Sequence, residues 1–103
     1  MNSTPELTNE MLLHRLMAGD KKALLAIFDR YSPKLYSFIL KEVSVLTPEG
    51  QAEEDTKNIL KCVFASAWDN RNSISPHFSL EDYLFTITYY WIEGYVNDET
   101  LSS

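Results

Sequence analysis

Apolar residues recur along most of this chain at intervals of three and four, the spacing that lines one face of an α-helix. Met11, Leu12, Leu13 and Leu16 form the first such group, and Leu7-Thr8 ahead of them reads as a staple residue and an N-cap, with Leu7 placed to pack on Leu12. Gly19 follows as a left-handed C-cap. Asp20 then caps a second helix whose Leu24, Ile27, Phe28 and Tyr31 share a single buried face. Ser32-Pro33 reads as a cap followed by proline at a first helical position, opening a third helix with the stripe Leu35, Tyr36, Ile39, Leu40 and Val43.

Thr47-Pro48-Glu49-Gly50 breaks the pattern as a turn or a frayed helical start, and the charged run Gln51 to Lys57 is expected to be a solvated first turn or two. The stripe resumes at Ile59, Leu60, Val63, Phe64, Ala67 and Trp68 in a fourth helix. Asp69 to His77 is polar, contains proline and lacks periodicity, so it is read as a connecting loop. Ser79 with Asp82 forms a capping-box signal, and Phe78 is placed as a staple against Tyr83. The segment from Leu84 to Ile92 is rich in strand-favouring Thr, Ile, Tyr and Trp. A lone strand would have no pairing partner in this chain. Leu80, Leu84, Ile87 and Trp91 keep helical spacing, so the segment is predicted as a fifth helix that Gly94 ends or loosens. The fold class that follows is all-α, a compact bundle of four to five helices, with one domain over 1–103, a core over about 8–96 and a frayed tail at 97–103.

A chain of 103 residues with 45% hydrophobic content holds one compact core and is too short for two ordinary domains. The formal charge of −6 is unevenly spread: nine basic residues face ten acidic ones up to Arg71, and no lysine or arginine follows. The final third carries Glu81, Asp82, Glu93, Asp98 and Glu99, which face no basic partner, so −5 of the charge lies there. Because nucleic-acid affinity rests heavily on neutralising phosphates, a strong DNA contact must come from the first two thirds or from a partner. Cys62, the one cysteine, excludes an internal disulfide and sits among apolar neighbours as a small buried hydrophobe. The opening Met1 to Glu6 has neither a basic nor an apolar leader region, and no apolar run approaches the ~18 residues that span a bilayer. A soluble, cytoplasmic protein with no membrane contact is expected.

Candidate catalytic groups are scattered. His14 and His77 lie in different elements, neither within helical reach of Cys62 or an acidic pair. Glu53-Glu54-Asp55 fans around a helix and is read as a solvated acidic turn favoured by the helix dipole, not a metal site. No glycine-rich phosphate loop is present. Neither enzyme activity nor a cofactor is expected. In the aromatic run Tyr83 to Trp91, rings at helical spacing suit a core. Tyr89 and Tyr90 cannot both share the narrow face of Trp91, so at least one is expected at the surface, where it could stack on unpaired bases or anchor a protein.

The order of these pieces resembles a known family. Leu12-Leu13-His14-Arg15-Leu16-Met17-Ala18-Gly19-Asp20 followed by Phe28-Asp29-Arg30-Tyr31-Ser32-Pro33 is similar to the opening of bacterial extracytoplasmic-function sigma factors. Asp55 through Val63-Phe64-Ala65-Ser66-Ala67-Trp68, then Ser79-Leu80 and Tyr83-Leu84-Phe85-Thr86-Ile87, resemble their later signatures, so that the likeness spans about 11–96. The resemblance implies region 2 of such a factor, an all-helical domain that binds the β′ clamp helices of core RNA polymerase and opens the promoter −10 element. It assigns polymerase contact to Asp55, Asn58 and Lys61, and DNA contact to the last helix at Tyr83, Thr86, Tyr89, Tyr90 and Trp91. The family usually has an acid where Asn58 stands and a glutamine where Lys61 stands. Positions commonly basic in its last helix are here Glu81, Thr86, Tyr89, Asn97 and Asp98. Promoter contact is therefore electrostatically disfavoured unless polymerase positions the domain.

The second helical domain that would read the −35 element has no room before Ser103, so the expectation is an isolated region 2 or a descendant with a changed use. A second reading is a degenerate region 2 that acts as a protein-interaction module or regulator, binding an anti-sigma factor or self-associating through the aromatic helix without DNA. A third is a helical domain of unrelated role, which Tyr31, Tyr36 and Trp68 lying apart would favour.

Overall fold

Thr8 starts the first helix as expected: its extended backbone precedes α1 (Asn9–Met17), and its hydroxyl accepts the Met11 N–H at 3.1 Å. The computed structural model describes residues 7–48, 50–75 and 77–102, with side chains up to residue 97. The expectations for Met1 to Glu6, for Glu49 in the turn, for Pro76 in the loop and for the side chains of Asp98 and Glu99 lie outside them. At the end of α1, Gly19 adopts φ +85°. The Gly19 N–H bonds to the Leu16 carbonyl at 2.9 Å and the Asp20 N–H to the Arg15 carbonyl at 3.0 Å, the paired bonds of a Schellman stop. Asp20 turns at once to its second task, accepting the Lys22 N–H at 2.9 Å to cap α2 (Lys21–Val43).

The second and third predicted helices are one. Pro33 lies inside α2, where it cannot donate to the Asp29 carbonyl and its ring crowds that oxygen, a local cost that ordinarily breaks a helix. What holds the element together is a buried row in unbroken steps of four: Ala23, Ile27, Tyr31, Leu35, Ile39 and Val43. Burial on both sides of the proline outweighs the lost bond. Phe28, expected on that buried face, is instead 39% exposed, since the buried row passes one position to its side.

After a turn in which Gly50 takes φ +91°, α3 runs over Gln51–Asp69. Ala52 and Thr56 are buried, so the charged run is solvated on its outer side alone, and the Thr56 hydroxyl is satisfied by the Ala52 carbonyl at 2.7 Å. Cys62 is half-buried, less enclosed than the sequence suggested. The connection to the last helix holds a single 3-10 turn at Arg71–Ser73 and the buried Ile74, which plugs the core from within a polar stretch.

The last element is a helix, α4 (Leu80–Ser102), and it passes Gly94 without ending and takes in 97–102 of the tail expected to fray. Ser79 accepts the Asp82 N–H at 3.0 Å, as the capping signal predicted. Its buried row is Leu80, Leu84, Thr88 and Ile92, while Ile87 and Trp91 stand half-buried beside it. The sequence missed Thr88 as a core residue because its hydroxyl, bonded to the Leu84 carbonyl at 2.7 Å, hides its polarity inside the helix. The architecture is thus an all-α bundle of four helices, with no strand among the described residues. α2 packs on each of the other three helices. Tyr31, Tyr36 and Trp68 all adjoin the same core cluster.

Candidate interaction surfaces

Two exterior faces carry the candidate residues singled out from the sequence, and a third lies between α2 and α3. The outer face of α3 holds Asn58 and Lys61 in the open and Asp55 half-buried. These three do not form a uniform exposed row. The Asp55 carboxylate accepts the Tyr95 hydroxyl of α4 at 2.7 Å and the Gln51 amide at 3.0 Å, and the Tyr95 hydroxyl also bonds to Thr47. Asp55 therefore fastens the far part of α4 to the start of α3, a tertiary role that its spacing within α3 does not announce.

On α4 the aromatic run divides by depth. Tyr83 is buried, and its hydroxyl donates to the Ala67 carbonyl at 2.9 Å. Ala67 lies in the last turn of α3, where carbonyls have no intrahelical donor, so Tyr83 caps α3 from the side. Burial pushes its phenol up to about 12. Trp91 is half-buried and its indole N–H donates to the Ser66 hydroxyl at 2.9 Å. Thr86, Tyr89 and Tyr90 are exposed, the two tyrosines at 58% and 70%, so the expectation of at least one surface ring is met by both. Tyr89 leans edge-on to Phe38 of α2 with centroids 5.3 Å apart, and Tyr90 is free of the core apart from an edge contact with Trp91 at 5.9 Å.

The charge of α4 is not wholly without a counterpart. Lys34 of α2 pairs with Glu81 at 2.5 Å and lies over the Phe85 ring at 5.7 Å. The hydrogen bond to Glu81 and its charge hold the Lys34 ammonium above its ordinary range. The sequence could not show this, because the two residues are far apart in the chain. Glu93 remains exposed beside Tyr89 and Tyr90 in a shallow depression.

The third face was not anticipated. Between the first half of α2 and the last half of α3 runs an apolar groove of about 420 Å³, lined by Leu24, Leu25, Phe64, Ala65 and Trp68 with Lys21 and Asp69 at its rim. Leu25 is 64% exposed, and Phe28 stacks at a tilt on Phe64 with centroids 4.9 Å apart. Arg71 covers the Trp68 ring at 4.0 Å while donating to the Trp68 carbonyl at 2.8 Å, and the Lys21 ammonium lies 6.0 Å from the same ring. The clue available in sequence was Leu24-Leu25 side by side, since adjacent helical residues cannot both face one core.

No helix among the described residues is long and apolar enough to cross a membrane. No protein-family model and no curated protein matches the chain.

Proposed function

We propose that this protein is a sigma-region-2-like helical domain that acts in transcription initiation by docking on the β′ clamp helices of core RNA polymerase. The observation that carries the reading is the ordered set of signatures: Ala18-Gly19-Asp20 at a helix junction, Tyr31-Ser32-Pro33 within the long helix, and Val63-Phe64 with Ala67-Trp68 in α3. Asn58 and Lys61 offer a polar, solvent-facing stretch of α3 to such a partner. Asp55 contributes less directly, since its carboxylate is already engaged by Tyr95. Contact with promoter DNA is the weaker half of the proposal. Tyr89 and Tyr90 present rings suited to unpaired bases, but α4 carries no lysine or arginine beside them, and Lys34, which lies over Phe85, is already paired with Glu81. Mixing the protein with purified core enzyme at ~10 µM, a concentration that captures Kd values of that order, is expected to shift it in gel filtration. No shift, under conditions in which a full-length sigma factor shifts, sinks the reading.

A second reading keeps the domain but replaces DNA with a protein partner on α4. It is favoured by the exposed Tyr89 and Tyr90 beside Glu93, a ring-rich and acidic surface of the kind that suits a protein interface better than a phosphate backbone.

A further inference from the structure

The groove between α2 and α3 has no role in the polymerase reading, and its chemistry can be read independently. Lys21, Leu25 and Asp29 follow one another on the exposed side of α2 in steps of four, so a positive end, an apolar middle and a negative end lie along one helix surface. Among the described residues neither Lys21 nor Asp29 has an ion-pair partner. Such a row is complementary to itself when reversed. A two-fold axis across α2 near Leu25 sets each Lys21 against the Asp29 of the other copy and passes the two leucines side by side at the centre, each facing the groove of the other copy.

We propose that this face is a two-fold interface between two copies of the chain. Leu25 of each copy enters the apolar groove of the other, against Leu24, Phe64 and Trp68, with Phe28 closing the side. Two observations favour a second copy over another partner. The exposed leucine stands beside a groove of matching character, so knob and socket occur on the same surface, as an isologous contact requires. The flanking charges have opposite signs at opposite ends of the row, which matches a reversed copy and would mismatch a partner of uniform charge. The α4 face lacks this property, because its own exposed residues include Glu93 and no lysine or arginine. Exposed apolar area gathered at one place, with Trp68 at its wall and polar residues at its rim, is the composition of an interface core.

Sedimentation of the full chain across a concentration series tests the proposal. A dimer mass is expected by ~100 µM, the range in which an interface of modest size is populated. Leu25→Glu is expected to weaken the dimer at least ~10-fold, since it places an unpaired carboxylate at the centre. Lys21→Asp alone and Asp29→Lys alone each weaken it, and the double exchange restores it, because each pair is rebuilt with reversed sign. All three positions face solvent in the single copy, so circular dichroism of every variant is expected to match that of the parent. A monomer at ~100 µM overturns the proposal. So does a dimer indifferent to Leu25→Glu, and a double exchange no tighter than the singles overturns the two-fold register.

Discussion

At the scale of single residues, the side chain with the most to say is Tyr83. It was read from sequence as one ring among several that could meet a base, yet its ring is buried and its hydroxyl satisfies the Ala67 carbonyl at the end of α3. Tyr83→Phe keeps the ring and removes the bond, leaving a buried acceptor without a donor, and is expected to cost about 1–2 kcal/mol in chemical denaturation. The same site makes stability sensitive to alkali. Burial holds the phenol protonated up to about 12. In the unfolded chain it ionises near ~10. The stabilisation is therefore complete below the unfolded value and is lost as pH climbs through the folded one. A titration of phenolate absorbance is expected to show a late component in the parent protein that Tyr83→Phe abolishes. If the variant retains it, the late component does not belong to Tyr83.

At the scale of elements, tertiary burial overrides two local signals. Pro33 carries the local mark of a helix start and Gly94 that of a helix end, but the rows of buried side chains run past both. Gly94 has a negative-φ helical backbone, and a Cβ added there meets nothing within 4 Å. Gly94→Ala is expected to stabilise the protein by about 0.5–1 kcal/mol, seen as a higher denaturant midpoint. A lower midpoint would mean that the flexibility is structurally required. Gly19 and Gly50, at φ +85° and +91°, are the positions where the same change is strained.

The contrast shows what the chain made legible. Caps at Thr8, Asp20 and Ser79 and the stop at Gly19 were readable because they depend on bonds between residues two to five apart. The joining of two predicted helices across Ser32-Pro33 and the burial of Thr88 and Ile74 depend on what packs opposite them, which spacing within one segment does not contain. The candidate sites divide in the same way. That at least one of Tyr89 and Tyr90 is exposed followed from adjacency, whereas the Asp55–Tyr95 and Lys34–Glu81 bonds join residues about forty or more positions apart.

At the scale of the whole molecule, the uneven charge shapes both stability and partners. Arg71, the last cation, is turned inward over Trp68, so past that point the chain's charge is −5 and the Lys34–Glu81 pair is the one ion pair that reaches it among the described residues. Like charges in one region repel across water, and salt shortens the range of that repulsion to about 10 Å at ~0.1 M. Raising ionic strength from ~10 to ~200 mM is expected to increase the urea midpoint, since the exposed Lys34–Glu81 pair that salt weakens contributes little. A falling midpoint would show that favourable pairs dominate instead.

Trp68 and Trp91, the chain's two tryptophans, sit at different exteriors: one walls the groove under Arg71, the other lies beside Tyr90 and Ser66 on α4. Indole emission follows the wetness of its surroundings, so the molecule carries a lamp at each of two doors. Replacing either indole with phenylalanine leaves one lamp lit, and a change in its colour during titration tells which door a visitor has used.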